Sequence, residues 1–211
     1  RIQRACVEAY PLDILVEMTG TREIPPDLVD DVERQRDYYA KVVDGEKGLF
    51  FPYLLEDLLP AFEAYIEPGS TFLDLGSGDG RVVFMAAAMG AEATGIEYEP
   101  KVAEISRRAL AELDEVLDAE KVHIIEDDFF NHSWADYDAI FYFDRSSFAQ
   151  KKVRRKLAYE MHDEARLLVC FQHLPFHGLE VEAHFGDVTV YRQAPLDEEF
   201  QPHIQQKAEK E

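Results

Sequence analysis

From residue 71 onward, the chain alternates short apolar runs with longer stretches in which apolar residues recur every three or four positions. The short runs predict strands at 71–75, 93–97, 122–126, 137–144 and 166–172, and the longer stretches predict helices at 81–89, 100–118 and 147–159. Strands that alternate with helices are typical of a mostly parallel sheet with helices on both faces.

Two further apolar runs, 179–185 and 188–192, flank Gly186 and Asp187. Glycine and aspartate favour a tight turn, so these runs predict an antiparallel hairpin at the end of the sheet. The whole pattern predicts an α/β fold with three layers: a doubly wound, mostly parallel sheet of seven strands that ends in the hairpin.

The N-terminal third has a helical pattern instead. It predicts helices over 2–18, 27–43 and 52–66, with Pro11 interrupting the first and Pro60 offering a break in the third. A turn at 67–69 separates these helices from the sheet. We therefore predict an N-terminal helical extension over 1–66, a core over 67–194 and a polar tail over 195–211.

The charge of the chain restricts its partners. Acidic side chains outnumber basic ones by 43 to 22 among 211 residues, for a formal net charge of −21. This charge repels a phosphate backbone, which argues against nucleic acid as a partner. The dense basic run at 151–156 has the spacing of a solvated helix face. No apolar run reaches the ~20 residues of a membrane-spanning helix, so no membrane span is predicted.

The two cysteines, Cys6 and Cys170, are far apart in the sequence. They predict neither a disulfide framework nor a thiol-rich metal site, and they fit a reducing compartment such as the cytoplasm. His173 and His177 follow Cys170 at a ligand-like spacing. Because no further cysteine lies near them, the sequence predicts no metal centre.

A glycine-rich segment, D-L-G-S-G-D-G-R, begins at Asp74, at the end of the first predicted strand. Its glycines permit a sharp turn and a close approach of the backbone to a ligand. The segment lacks the G-K-[ST] of a P-loop and the third glycine of the dinucleotide pattern. Asp74 would repel a pyrophosphate, whereas it suits the ammonium group of an amino-acid moiety. We expect Asp79 and Arg81 to be exposed residues at the start of the next helix.

Carboxylates also end the next two predicted strands. Glu97 lies 21 positions after Gly76, the offset at which a carboxylate can bind both hydroxyls of a ribose. Asp127 and Asp128 follow the third strand, beside Phe129. An acid there can accept a hydrogen bond from an adenine amino group while an aromatic neighbour covers the ring.

The motifs D-L-G-S-G-D-G, G-I-E and E-D-D-F-F, in this order, resemble the first three motifs of class I S-adenosylmethionine-dependent methyltransferases. The resemblance covers about residues 48–192, and it implies a Rossmann-like fold, S-adenosylmethionine as the cofactor and methyl transfer as the activity. It places the methionine part along Asp74, Gly76 and Gly78, the ribose at Glu97, and the adenine at Asp128 and Phe129. Ser77, Gly80, Tyr98 and Phe143 complete the implied cofactor-binding set.

The methyl acceptor is expected beside the end of the fourth strand, I-F-Y-F-D-R at 140–145. This segment lacks the N-P-P-Y or D-P-P-Y of methyltransferases that act on nucleobase amino groups. Asp144 can orient or deprotonate an amine, although a helix cap or an ion pair with Arg145 is an open alternative. Tyr142 and Phe143 can wall a methyl-transfer channel, and a core ring is the alternative role for Tyr142.

The segment G-L-F-F-P-Y at 48–53, followed by a helix, is similar to the aromatic and proline segment of small seven-strand protein lysine methyltransferases of archaea and mitochondria. The similarity implies that Phe51 and Tyr53 contact the acceptor. The acceptor stays open between a protein lysine and a small molecule. A protein that binds the cofactor without transferring a methyl group, and a nicotinamide-dependent oxidoreductase, are the other hypotheses.

Overall fold

The structure is a computed structural model, and it describes residues 1–9, 26–42, 52–143, 150–170, 176 and 178–194. The predicted polar tail and the second half of the predicted helix 2–18 lie outside the described residues. No helix in the described ranges is long and apolar enough to cross a membrane.

The described part of the N-terminal region is helical, as predicted. Its helices are α1 at Ile2–Glu8, a 3-10 helix at Pro26–Val29, α2 at Val32–Val42 and α3 at Leu55–Tyr65. α3 continues through Pro60, so the possible break at this proline does not occur. Its apolar face holds it to the sheet, because the ring of Phe62 packs against Phe72 and Phe141 at centroid distances of 5.5 and 5.9 Å.

Strands and helices alternate after residue 70. In chain order they are β1 at Thr71–Leu75, α4 at Arg81–Ala88, β2 at Glu92–Glu97, α5 at Pro100–Ala111, β3 at Val122–Glu126, β4 at Ala139–Phe143, α6 at Gln150–Glu160, β5 at Arg166–Cys170, β6 at Leu179–Phe185 and β7 at Val188–Gln193. Short 3-10 helices lie at Ala119–Lys121 and Phe129–Asn131.

The helix predicted over 100–118 is shorter in the structure, where α5 ends at Ala111. The prediction is wrong at this end for an electrostatic reason. Glu112, Asp114 and Glu115 follow in sequence, and negative charges are unfavourable at the carboxyl end of a helix dipole. The chain instead turns, so that Leu113 and Leu117 are buried in the core.

The seven strands form one sheet in the order β3-β2-β1-β4-β5-β7-β6. β1 to β5 pair in parallel, and β6 and β7 form the predicted antiparallel hairpin. The strand order reverses between β1 and β4. In open α/β sheets, ligands bind in the crevice outside the carboxyl ends of the strands at such a reversal. The topology therefore predicts a ligand site at the carboxyl ends of β1 and β4.

Helices cover both faces of the sheet, which makes the three predicted layers. On one face, α1, α3, α4 and α5 enclose an apolar core that includes Phe72 and Phe141. On the other face, α6 and Trp134 enclose a second core that includes Leu73, Leu75 and Tyr142. Because side chains alternate along a strand, Asp74 lies on the same face as Phe72.

Candidate active site

The glycine loop, residues 76–80, turns the chain from the end of β1 into α4. Gly76, Gly78 and Gly80 have φ angles of +84°, +57° and +81°, in the left-handed region that side chains disfavour. The backbone N–H groups of Gly76 and Ser77 both donate to the carbonyl of Ile96, at 3.0 and 3.1 Å. The loop is thus bonded to the neighbouring strand β2 and lies at the crevice.

Gly80 and Gly95 are positions where even a methyl group does not fit. A Cβ on Gly80 would collide with Ser106 Oγ and would lie 2.7 Å from the ring of Phe84. A Cβ on Gly95 would lie 2.7 Å from Ser77 Oγ. Ser77 therefore packs on β2, and its Oγ makes no hydrogen bond to the described part of the chain.

Glu97, the last residue of β2, is fixed by two backbone amides. Its Oε2 accepts a hydrogen bond from Gly78 N at 2.9 Å, and its Oε1 accepts one from Glu99 N at 2.8 Å. Burial raises the pKa of this carboxyl above its usual range, although the two amide bonds oppose the rise. The carboxylate is therefore held in one orientation beside the glycine loop, with lone pairs left for further donors. Tyr98, the next residue, is 43% exposed.

Asp74 is a buried carboxyl, with only 3% of the residue exposed. Burial raises its pKa well above the usual value, and repulsion from Glu97 and Asp79 raises it further. A cation at this position would relieve both costs. The end of β1 is therefore suited to a positively charged group of a ligand.

The third acidic site, after β3, is partly occupied by local bonds. Asp127 accepts hydrogen bonds from Asp128 N, from the Asn131 amide and at 3.0 Å from His132, and the Asn131 bond contributes most to its lowered pKa. Asp128 Oδ1 accepts a bond from Phe130 N at 2.9 Å. Asp127 N donates to the Glu97 carbonyl, which ties this turn to β2.

Phe129 belongs to an aromatic cluster with Phe130 and Trp134. Its ring centroid lies 4.6 Å from that of Phe130 and 6.0 Å from that of Trp134. Lys152 and Lys156 of α6 lie over the rings of Phe130 and Trp134. The predicted solvated basic face is thus only partly right, because the exposed Lys152 and the half-buried Lys156 also lie over rings of this cluster.

Asp79 and Arg81 are buried at 0% and 2% exposure, so the expectation that they lie at the surface is wrong. The guanidinium of Arg81 donates to both carboxylate oxygens of Asp79, at 2.6 to 3.1 Å. It also donates to Gln35 Oε1 at 2.7 Å and to the Tyr53 carbonyl at 3.2 Å. The pair is stable in the interior because residues from distant segments accept its remaining donors. No local sequence signal identifies such partners.

A second cluster, the Tyr53 cluster, consists of Tyr53, Phe143, Cys170 and Asp187 and lies at the ends of β4 and β5. The ring of Tyr53 meets that of Phe143 edge-on at a centroid distance of 6.1 Å, and its hydroxyl donates to Asp187 Oδ2 at 3.0 Å. Cys170 pairs with Phe143 on one side and with Val188 on the other.

Burial raises the pKa values of Tyr53 and Cys170 well above their usual ranges, and the negative charge of Asp187 adds to both. Both groups therefore stay protonated near neutrality. Asp187 is a residue that the sequence analysis missed. The predicted hairpin could have indicated it. Because β7 runs antiparallel to β5, the turn between β6 and β7 lies at the same edge of the sheet as the carboxyl end of β5.

Of the remaining residues that the sequence singled out, only Tyr142 lies in the described part of the chain. Tyr142 is buried in the second core, on the face opposite to Phe143, which favours its alternative role as a core ring. Phe51 and Asp144 lie outside the described residues, as do His173 and His177. Within the described ranges, no group of three or more His, Cys, Asp or Glu side chains could hold a metal ion.

Comparison with known families identifies this arrangement. The ANTKMT methyltransferase domain matches residues 74–178, a span that begins with Asp74 and includes the glycine loop, Glu97 and Asp128. The chain is a class I S-adenosylmethionine-dependent methyltransferase. A comparison with curated protein sequences finds no match.

Solved structures share the fold of this methyltransferase. An RNA methyltransferase from Salinibacter ruber, in complex with S-adenosyl-L-homocysteine, has a TM-score of 0.58 at 24% identity and covers 69% of this chain and 97% of its own. The putative methyltransferase yhhF from Escherichia coli has a TM-score of 0.55 at 20% identity, over 72% of this chain and 90% of its own. MtNAS, in complex with MTA and tNA, has a TM-score of 0.56 at 17% identity, over 92% of this chain and 71% of its own.

The cofactor of the methyltransferase is S-adenosylmethionine, and the residues at the crevice fit its charges. The molecule carries a positive sulfur and an amino-acid ammonium group. The carboxyl of Asp74, whose pKa is raised by burial and by neighbouring negative charges, would be stabilised by a cation of this kind.

Proposed function

We propose that this methyltransferase transfers the methyl group to a lysine side chain of a protein. The observation that carries the proposal is the Tyr53 cluster, where two aromatic rings and the exposed carboxylate of Asp187 stand at the end of β4, next to the cofactor crevice. Aromatic walls pack against the methylenes of a lysine, and a carboxylate attracts its ammonium group. The match to the ANTKMT methyltransferase domain, a lysine methyltransferase domain, supports the same acceptor.

In this proposal the cofactor is held by the acids at three successive strand ends. Asp74 binds its ammonium group, Glu97 binds the two ribose hydroxyls, and Asp128 with Phe129 holds the adenine. The amides of Gly78 and Glu99 fix the Glu97 carboxylate before the cofactor arrives. A carboxylate that is already oriented loses little entropy on binding, which favours affinity.

S-adenosylmethionine supplies an activated methyl group on a positively charged sulfur. The chain's own residues align the acceptor nitrogen with it and exclude water, and such positioning can account for roughly 7–11 kcal/mol of the barrier. A lysine must lose a proton before it attacks. Tyr53 does not take that proton, because its raised pKa keeps its hydroxyl a donor to Asp187. Asp144, which follows Phe143 in sequence, is our candidate for that role.

The test is transfer of a radiolabelled methyl group into a fractionated lysate. We expect label in protein bands, on lysine after digestion and mass spectrometry, and none with a Gly78→Leu control, whose side chain is strained at a φ of +57°. Label confined to small molecules or to RNA would replace the lysine proposal with that acceptor. Label no higher than in the control would favour a protein that binds the cofactor without transferring its methyl group.

We also propose a reducing, cytoplasmic location for the enzyme. The support is that Cys6 and Cys170 are both buried free thiols.

A further inference from the structure

The buried ion pair of Asp79 and Arg81 lies inside the glycine loop and at the start of α4. Asp79 is flanked by Gly78, whose amide donates to Glu97, and by Gly80, where an added Cβ would collide with Ser106 and Phe84. The conformation of the loop at the Glu97 carboxylate thus depends on where Asp79 is held. The guanidinium of Arg81 holds it with three hydrogen bonds, and the backbone amide of Arg81 donates a fourth to Asp79 Oδ1 at 3.3 Å.

Gln35 of α2 holds Arg81 in turn. Its Oε1 accepts a hydrogen bond from Arg81 Nη2 at 2.7 Å, and its amide nitrogen donates to the carbonyls of Leu28 and Val29 at 2.7 and 2.9 Å. The residue is 0% exposed, so water cannot replace these bonds. Gln35 is 46 positions from Arg81 in sequence, and the N-terminal helices bring the two together.

The same guanidinium reaches the proposed acceptor side. Arg81 Nη1 donates to the carbonyl of Tyr53, whose side chain contacts Phe143 and Asp187. Arg81 therefore joins the loop beside Glu97 to the residue that begins the Tyr53 cluster. Gln35 of α2 accepts a hydrogen bond from the same guanidinium.

We propose that Gln35 is a positioning residue for cofactor binding, which acts on the glycine loop through Arg81 and Asp79. The inference rests on the proposed role of the glycine loop as the cofactor site. Without the acceptor of Gln35, a buried guanidinium N–H loses its partner, and Arg81 must shift to find another. Because Arg81 is hydrogen-bonded to Asp79, a shift of Arg81 also displaces Asp79. The hydrogen bond between the neighbouring Gly78 amide and the Glu97 carboxylate then loses its fixed geometry.

The test compares two substitutions at Gln35 by titration calorimetry with S-adenosyl-L-homocysteine, at a temperature well below the unfolding midpoint of every variant. Gln35→Leu removes both functions of the side chain, and we expect affinity to fall about tenfold. Gln35→Glu keeps an acceptor for Arg81 but cannot donate to Leu28 and Val29. We expect it to bind within about threefold of wild type, although its unfolding midpoint is lower.

Gln3→Leu is the matched control. Gln3 also bridges N-terminal segments, since it donates to the Val29 carbonyl at 3.3 Å and accepts from Leu55 N at 2.9 Å, and no described bond joins it to Arg81. We expect this variant to unfold at a lower temperature and to bind within about twofold of wild type.

Two results would overturn the inference alone: wild-type affinity in Gln35→Leu, or an equal loss in Gln3→Leu, which would show only a general loosening of the helices. A wild-type protein that binds no S-adenosyl-L-homocysteine would overturn the proposed cofactor site as well. The two failures are therefore distinguishable.

Discussion

The two halves of the crevice are built differently. At the cofactor half, backbone amides hold the acids at the ends of β2 and β3, such as the amides of Gly78 and Glu99 on Glu97 and that of Phe130 on Asp128. At the acceptor half, Tyr53, Phe143 and Asp187 come from three separated segments, and side-chain contacts bring them together. In the proposed arrangement, backbone amides thus position the acids of the cofactor site, and side-chain contacts between distant segments form the acceptor site.

The two halves also differ in how far solvent reaches their carboxyl groups. Asp74 is buried and Glu97 is half-buried, and loss of solvation raises the pKa of both carboxyls. Asp187 lies at an exposed turn, where its carboxylate accepts from Tyr53. In the cofactor half, the negative charge of these two carboxyls is therefore unfavourable, and a cationic ligand would stabilise it. In the acceptor half, the carboxylate of Asp187 is in contact with solvent and accessible to an incoming group.

The largest expected effect on the cofactor half is that of Glu97→Ala. The substitution removes charge-assisted hydrogen bonds worth ~1.5–3 kcal/mol each, so affinity for S-adenosyl-L-homocysteine should fall roughly 10–150-fold for each bond lost. Titration calorimetry measures this fall in affinity. An affinity equal to that of wild type would remove Glu97 from the proposed ribose site.

Asp74→Asn should separate binding from stability. We expect affinity to fall about tenfold, since the ammonium group loses its charged partner. The unfolding midpoint of the ligand-free protein should rise near neutral pH, because the variant no longer buries a carboxylate that its neighbours repel. A lower midpoint together with unchanged affinity would contradict both expectations.

The sign of the pH dependence follows from the same group. The pKa of Asp74 is higher in the folded protein than its ordinary value of 3.8, so the folded state binds more protons above that pH. Asp74 therefore makes stability fall as pH rises from 3.8 through the raised pKa. If Asp74 has its proposed role, cofactor affinity should change in the opposite direction, because the carboxylate form would bind the ammonium group. Asp74→Asn should weaken both dependences.

The smallest expected effect is that of Tyr53→Phe on the acceptor half. The variant keeps the ring beside Phe143 and removes the bond to Asp187, a partly solvated contact whose loss should cost about 1 kcal/mol of stability or less. Calorimetry should give S-adenosyl-L-homocysteine affinity within about twofold of wild type. A larger loss would mean that the two halves of the crevice are coupled through Tyr53.

Much of this fold could be predicted from local pattern. Periodicity predicted all seven strands, and the structure confirms the parallel sheet and its terminal hairpin. The end of α5 was missed because acidic residues beyond Ala111 outweigh its apolar spacing. Around Pro60, the helical periodicity predicted the structure better than the helix-breaking tendency of proline did. α3 is continuous there, and its Phe62 packs against Phe72.

The strand and helix order, the glycine loop and the acids at three strand ends could be predicted from residue patterns alone, because each depends largely on residues that are close along the chain. The three-dimensional fold was needed to show that Asp79 and Arg81 are buried, that Gln35 accepts a bond from Arg81 and that Asp187 accepts one from Tyr53. The bonds to Gln35 and to Asp187 join residues that lie far apart in sequence. Whether a charged side chain is buried depends on whether the fold supplies its partners, and no local pattern contains them.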